Sequence, residues 1–369
     1  MGYALTELKQ YTRSNEYYRE VQKIYITMGD TINLCTILNN IGFNYRDLND
    51  SINSYKVHKE AIALAKHTHD LELLAKCYNK ISSSYNHFKN KGKRIEYLGL
   101  ERDVYIKLDN SQKIAETYEN QGDAYADLMK YELAKKSFLS AMSFYEKAKN
   151  IYKQAEMYWD YGYQLNNGSK DYDESIRAYR KAYELYMQNK DSADASTMLS
   201  NIGQNYWSKL DYQKAIESHR AAIELAKKCK NQKQVATSWS KLSTLYSESN
   251  NPVASVEALQ NAVEALATVN DSTLLASTCK DLASSYSKSK NYTKAFEFFN
   301  KAMAIQRAKK DTLSYASTLY SRGTVYHNKN DYKQAAKDYQ DALVLQRKIK
   351  DKSGVIYTLT NLGCYSAIG

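Results

Sequence analysis

The sequence predicts an all-α fold, a solenoid of tandem antiparallel helix pairs, and three observations predict it. Sliding the segment 311–350 by forty residues in either direction lands on a recognisable copy of itself. Within that segment the apolar and small residues fall at helical spacing on two successive stretches. Composition leaves little material for strands or flexible linkers, with one proline and 13 glycines in 369 residues, while 43% hydrophobic residues and 35 tyrosines supply a continuous core.

The repeated unit builds up as follows. Asp311 caps a first helix by accepting a hydrogen bond from first-turn amides, and that helix runs to about Lys329. Leu319, Gly323 and Tyr326 are spaced four and three, so they share one stripe, and Gly323 lets a partner helix approach closely. After Asn330 and Asp331 a second helix carries Tyr332, Ala335, Tyr339 and Ala342 on one face. A helix pair of this size cannot bury its apolar face alone, so it must stack on copies of itself.

Counted from Gly323, a tyrosine stands three residues on, a small residue twelve on, an aromatic sixteen on and an alanine nineteen on. The pattern recurs at Gly122, Tyr125, Ala134, Phe138 and Ala141, at Gly203, Tyr206, Ala215, His219 and Ala222, and at Ala283, Tyr286, Ala295, Phe299 and Ala302. It resembles the tetratricopeptide repeat, and that resemblance implies a right-handed superhelix of helix pairs with a concave binding groove. The usual repeat has about 34 residues and often a closing proline. The longer period here is similar to the long-helix branch found in kinesin light chains, Pins-type polarity adaptors and bacterial signalling proteins.

The frame position of Gly323 is held in turn by Gly2, Gly42, Ser82, Gly122, Gly162, Gly203, Ser243, Ala283 and Gly363, all small. Twelve residues before these frames, from the second onward, stand Asp30, Asp70, Asn110, Asn150, Asp191, Asn231, Asp271, Asp311 and Asp351, each a good N-cap. Lys190, Lys230, Lys310 and Lys350 precede caps, where their charge opposes the negative end of the preceding helix dipole. The period runs without a composition break, so one solenoid over residues 1–369 is expected, with eight complete pairs and partial ones at both ends. Because the chain opens and closes inside a repeat, it is expected to be a segment of a longer polypeptide.

Two places depart from the pattern. In the Ser82 frame, Arg94 and Glu101 replace alanines and Gly92 and Gly99 each weaken the second helix by roughly 1 kcal/mol, so this repeat should pack least well. Near Gly168 and Ser169 the Gly162 frame has one extra residue, and Leu165 replaces the tyrosine.

No catalytic constellation is present, so the chain reads as a non-enzyme with no cofactor. The segment 162–170 has the wrong spacing for a phosphate loop and follows a helix, and His67, His69 and Asp70 lack further metal ligands. The cysteines, Cys35, Cys77, Cys229, Cys279 and Cys364, show no paired spacing and read as reduced, packed thiols. With no signal-peptide pattern and no apolar run of spanning length, a cytoplasmic protein off the membrane is expected, although a targeting segment can precede a chain that starts mid-repeat.

The informative surface is the far side of each first helix, which by the resemblance lines the groove. Its candidate peptide-binding residues are Asn40, Glu116, Glu119, Asn120, Asp123, Asp127, Glu156, Trp159, Asp160, Tyr163, Asn201 and Trp207. Asn40, Asn120, Asn201 and Asn361 share one frame position; the row either grips the backbone of an extended peptide or is ordinary solvated surface. The six carboxylates Glu116, Glu119, Asp123, Asp127, Glu156 and Asp160 form an acidic centre that would draw in positive charge. Trp159 and Trp207 on a solvent face need either a ligand or a neighbouring helix to cover them.

The expected function is a protein- or peptide-binding scaffold whose partner is basic and extended. Kept beside it is a sensor or regulatory module of a bacterial signalling protein, a kinase, transcription regulator or peptide receptor, with its effector outside this chain. Nucleic-acid binding, suggested by the net charge of +11, ranks behind both because the basic residues lie on second helices and turns while the groove centre is acidic.

Overall fold

The computed structural model describes residues 1–363, and among them it holds nineteen α-helices and no strand. The chain divides into two compact units, Met1–Asn189 and Lys190–Gly369. The first unit contains α1 (Gly2–Glu7), α2 (Tyr11–Met28), α3 (Thr31–Asp47), α4 (Ser51–His67), α5 (Leu71–His87), α6 (Lys91–Lys107), α7 (Ser111–Asp127), α8 (Tyr131–Lys147), α9 (Ile151–Gln164) and α10 (Tyr172–Gln188). In the second are α11 (Ser192–Ser208), α12 (Tyr212–Lys228), α13 (Gln232–Glu248), α14 (Pro252–Leu266), α15 (Ser272–Lys288), α16 (Tyr292–Ala308), α17 (Thr312–Asn328), α18 (Tyr332–Lys348) and α19 (Lys352–Gly363). Each unit therefore holds four complete pairs, α3 to α10 in one and α11 to α18 in the other.

Each complete pair whose frame residue is glycine closes on the same contact. The second-helix ring sixteen residues after the frame glycine lies where a Cβ would stand: a Cβ on Gly42 would meet His58 at 2.6 Å, one on Gly122 would meet Phe138 at 2.6 Å, and one on Gly203 would meet His219 at 2.9 Å. Gly162 faces Tyr179 in the same way, seventeen residues on because of the insertion. Where the frame residue is Ser82 or Ser243, the facing position holds the slimmer Leu98 or Leu259, both buried. Ser54, twelve residues on, donates its hydroxyl to the Gly42 carbonyl at 2.8 Å, and Ser175, thirteen on because of the insertion, does the same to Gly162 at 2.7 Å.

The caps form as the sequence predicts. Asp30, Asp70, Asn110, Asn150, Asp191, Asn231, Asp271, Asp311 and Asp351 each accept from the backbone N–H three residues on. The second helices use the same device at Asp50, Asn90, Asp171, Asp211, Asn251, Asn291 and Asp331. Most of these turns also end the helix before them: the N–H of Asp50 donates to Tyr45 O at 2.8 Å, that of Asn251 to Tyr246 O at 2.7 Å and that of Asp331 to Tyr326 O at 2.9 Å. Such a five-residue back-reach requires a left-handed residue just before the cap. Lys190, Lys230, Lys310 and Lys350 fill that place with φ between 57° and 61°, so their role is conformational as well as electrostatic.

The two irregular repeats accommodate their departures in different ways. Gly92 and Gly99 do not interrupt α6, which runs 17 residues like its neighbours. Arg94 and Glu101 are buried but not stranded: Arg94 donates to Asn120 Oδ1 at 2.8 Å, and Glu101 accepts from Asn79 Nδ2 at 3.1 Å. Burial pushes the Glu101 carboxyl up to about 7, with the Asn79 bond working against it. The extra residue near Gly168 is absorbed as a π-helical turn, Leu165–Ser169, which continues α9 and places Gly168 beneath the ring of Tyr131.

Two substitutions test this account. Gly122→Ala should destabilise the first unit by about 1–3 kcal/mol, because Phe138 is fully buried and has no room to retreat; equilibrium denaturation of the variant measures it. The α8 helix has Lys130 at its N-cap and no side-chain cap bond. Lys130→Asp should therefore add roughly 0.5–2 kcal/mol, read as a higher urea midpoint.

Candidate functional site

The acidic candidates lie on α7 and α9, neighbouring first helices of the first unit. Asn150, the α9 cap, donates to Gln112 of α7 at 3.1 Å, and Lys153 of α9 sits 3.7 Å from Glu119 of α7. This packing brings Glu116, Glu119, Asp123 and Asp127 alongside Glu156 and Asp160 on one face.

Most of these carboxylates are not free to bind a ligand cation, which corrects the picture of six summed negative charges. Glu116 pairs with Lys113 at 2.6 Å, Glu156 pairs with Lys153 at 2.7 Å, and Asp127 pairs with Lys91. Glu119 accepts from the Tyr145 hydroxyl and faces Lys153. The cations come from outside the predicted face, Lys91 from the start of α6 and Lys113 and Lys153 from the first turns of α7 and α9.

Asp123 and Asp160 remain, with no ion pair among the described residues. Desolvation pushes the Asp160 carboxyl up to about 7, reinforced by Asp123, Glu119 and Glu156, while Lys153 opposes the shift. Asp123 is raised by the same cause, against the pull of Arg94. The Asp123 side chain is exposed and that of Asp160 half-buried, so both can be reached from solvent. Two carboxyls in this state favour a proton or an arriving cation.

Their surroundings are aromatic. Trp159 and Tyr163 belong to the same helix as Asp160, Trp159 half-buried and Tyr163 54% exposed. The asparagines divide. Asn120 is committed within the fold, accepting from Arg94 and donating to Glu116 O at 2.9 Å. Asn40 on α3 is half-buried, whereas its sequence neighbour Asn39 turns inward, 5% exposed, to bond His58 at 2.8 Å. Asn201 and Trp207 lie on α11, in the second unit. The Trp207 indole donates to Glu248 at 2.6 Å, so its polar edge serves the next repeat of that unit.

Among the described residues no group of three His, Cys, Asp or Glu side chains is placed to hold a metal ion, and Asp70 is spent capping α5. No helix there is long and apolar enough to cross a membrane.

A family model described as tetratricopeptide repeat matches residues 153–228, 194–268 and 273–348, together more than half of the chain. No curated protein matches the sequence. Among solved structures, the apo form of RapI is similar over 95% of this chain and 97% of its own, with 13% identity and a TM-score of 0.58. A signal transduction ATPase with numerous domains and a tetratricopeptide repeat sensor, from Pyrococcus horikoshii, is similar over 93% of this chain, with 15% identity and a TM-score of 0.57. This chain spans 54% of that protein's length.

The state of Asp160 is testable without a ligand. Its carboxyl is raised in the folded chain, so the folded state binds more protons than the unfolded one between about pH 4 and 7, and this group's contribution falls as pH rises through that window. Asp160→Asn should therefore match the parent in stability near pH 4 and become the more stable chain by pH 7, with a constant gap above; denaturation curves across that range measure it.

Proposed function

We infer the function from one premise: the chain belongs to the tetratricopeptide-repeat family. As a member it is a non-enzymatic interaction module, and the face of α7 and α9 is where its first unit receives a partner. The observation that carries this reading is the Asp123 and Asp160 pair, both carboxyls raised and without a bonded cation, beside the half-buried ring of Trp159 and the exposed ring of Tyr163. A lysine or arginine side chain replaces the missing cation, and an adjacent apolar residue covers the rings. The cation gains a further ~0.5–2 kcal/mol if it lies over an indole or phenol face. The partner is accordingly a basic, extended peptide segment, with Asn40 among the groups available to its backbone amides.

The second reading, a sensor module of a larger signalling protein, is favoured by the likeness to the Pyrococcus horikoshii protein, whose repeats are described as a sensor. The two are compatible, since a sensor of this kind also works by holding a ligand.

A fluorescence titration following Trp159 decides the matter, using short peptides with lysine or arginine beside an aromatic residue and scrambled acidic peptides as controls. Binding of the basic set is expected, weakening with added salt. Affinity should also fall below about pH 7, by at most about tenfold per pH unit, because Asp160 must then release a proton to accept the cation. Asp123→Lys with Asp160→Lys should abolish binding at unchanged helix content. Undiminished affinity in that double variant would move the ligand elsewhere.

A further inference from the structure

Gln306, near the end of α16, is 4% exposed, and its side-chain Oε1 is buried without a hydrogen-bond partner among the described residues. The neighbouring repeats show that packing does not call for an amide at this place. One repeat earlier the position holds Leu266, fully buried at the end of α14. One repeat later it holds Gln346, whose Oε1 accepts from the Thr358 hydroxyl at 2.8 Å. The counterpart of Thr358 is Thr318, and its hydroxyl donates instead to Ser314 O at 2.9 Å. A buried acceptor left in this state is costly unless a donor reaches it.

Gln306 lines a cavity of about 340 Å³ between α15, the end of α16 and α17, with the cap residue of α19 at its edge. A cleft of this size sits at the low end of the range that small ligands use. Charges of both signs line it, Lys280 and Lys309 against Asp311 and Asp351. The two lysines are in no ion pair among the described residues, although their fields reach Asp281 and Asp271. Each aspartate spends one oxygen, Oδ1, on its cap N–H. Ala276, Ile305 and Leu313 supply an apolar wall, and no aromatic ring among the described residues takes part.

We infer that this cavity binds a free α-amino acid with an aliphatic side chain. An ammonium group only donates and a carboxylate only accepts, so the acceptor and donor that the Gln306 amide carries side by side match the two ends of such a molecule. The carboxylate answers Lys280, and the ammonium answers Asp351 and the unpartnered Oε1 of Gln306. The aliphatic side chain covers Ile305 and Leu313. A nucleotide would find no ring to stack on, and an internal peptide segment lacks both charged ends. The site lies wholly within the second unit, so it is distinct from the face of α7 and α9 in the first.

Isothermal titration calorimetry of the full chain with free valine, leucine and isoleucine, and with their N-acetyl and carboxamide forms, tests the assignment. At least one free amino acid should bind saturably below about 10 mM, and blocking either end should weaken it about tenfold or more, because a charged partner is then lost. Gln306→Leu copies the Leu266 of the earlier repeat, so without ligand it should resist urea at least as well as the parent while its affinity falls by a similar factor. Lys280→Ala, at a half-buried side chain outside the core, should weaken binding as well. If no free amino acid gives saturable heat, the Thr318 hydroxyl turning to Gln306 is the amide's partner and the assignment is overturned. Equal binding of the blocked forms, unchanged affinity in Gln306→Leu or Lys280→Ala, or a loss of stability in ligand-free Gln306→Leu would each overturn it too.

Discussion

Where Gly42 meets His58, Gly122 meets Phe138 and Gly323 meets Tyr339, a ring lies against backbone that carries no side chain, and the distance between paired helices is set there. The rest of the repeat depends on that approach. With the helices so close, the positions flanking the ring must be small, which is why Ala134 and Ala141 bracket Phe138 and Ala335 and Ala342 bracket Tyr339, all buried. Close pairing in turn demands a short turn, and a short turn leaves both helix ends with unpaired backbone groups. A single Asp or Asn resolves both ends at once, its N–H reaching back to the old helix and its carboxylate or amide holding the new one.

The same economy shapes the face of α7 and α9. A carboxylate near a helix terminus or on a wet surface is easily matched by a lysine one turn away, and Glu116 and Glu156 are matched in that way. Asp123 and Asp160 sit toward the middle of the face, beyond the reach of those first-turn lysines. Arg94, which might have served Asp123, is buried and spends a guanidinium N–H on Asn120. The result is a local charge deficit surrounded by satisfied pairs, a feature that ligand binding can use and that folding alone does not need.

The fold was legible because its determinants are local and periodic: the frame residue, the ring sixteen on and the cap each recur at spacings that a single sequence displays. The site was legible only in part. Positions on one helix face can be computed from helical geometry, which is what groups Asp123, Asp160, Trp159 and Tyr163 as candidates. The partners of Asp127 and Glu119, namely Lys91 and the Tyr145 hydroxyl, come from other helices, and their reach depends on rotamers that no frame counts. Asn39 stands beside Asn40 on α3 yet is buried, bonded to His58 of α4 and to the Cys77 sulfur of α5, contacts that helical spacing alone does not give.

The π-helical turn at Leu165–Ser169 shows how far the repeat constrains its own variation. One added residue in an α-helix rotates everything beyond it by about 100°, which here would turn Ser175, Tyr179 and Ala182 away from α9. A wider turn takes up the extra residue before α10 begins, so the contact of Gly162 with Tyr179 and the bond from Ser175 to the Gly162 carbonyl both survive, one residue later than elsewhere. Leu165 stands where a tyrosine closes the other first helices, and it is buried at the start of this turn. Nearby, Glu174 in the first turn of α10 gathers Lys135 of α8 and the hydroxyl of Tyr161 of α9. The irregular turn is thus held by a cross-helix cluster that keeps α10 in the register its ring requires.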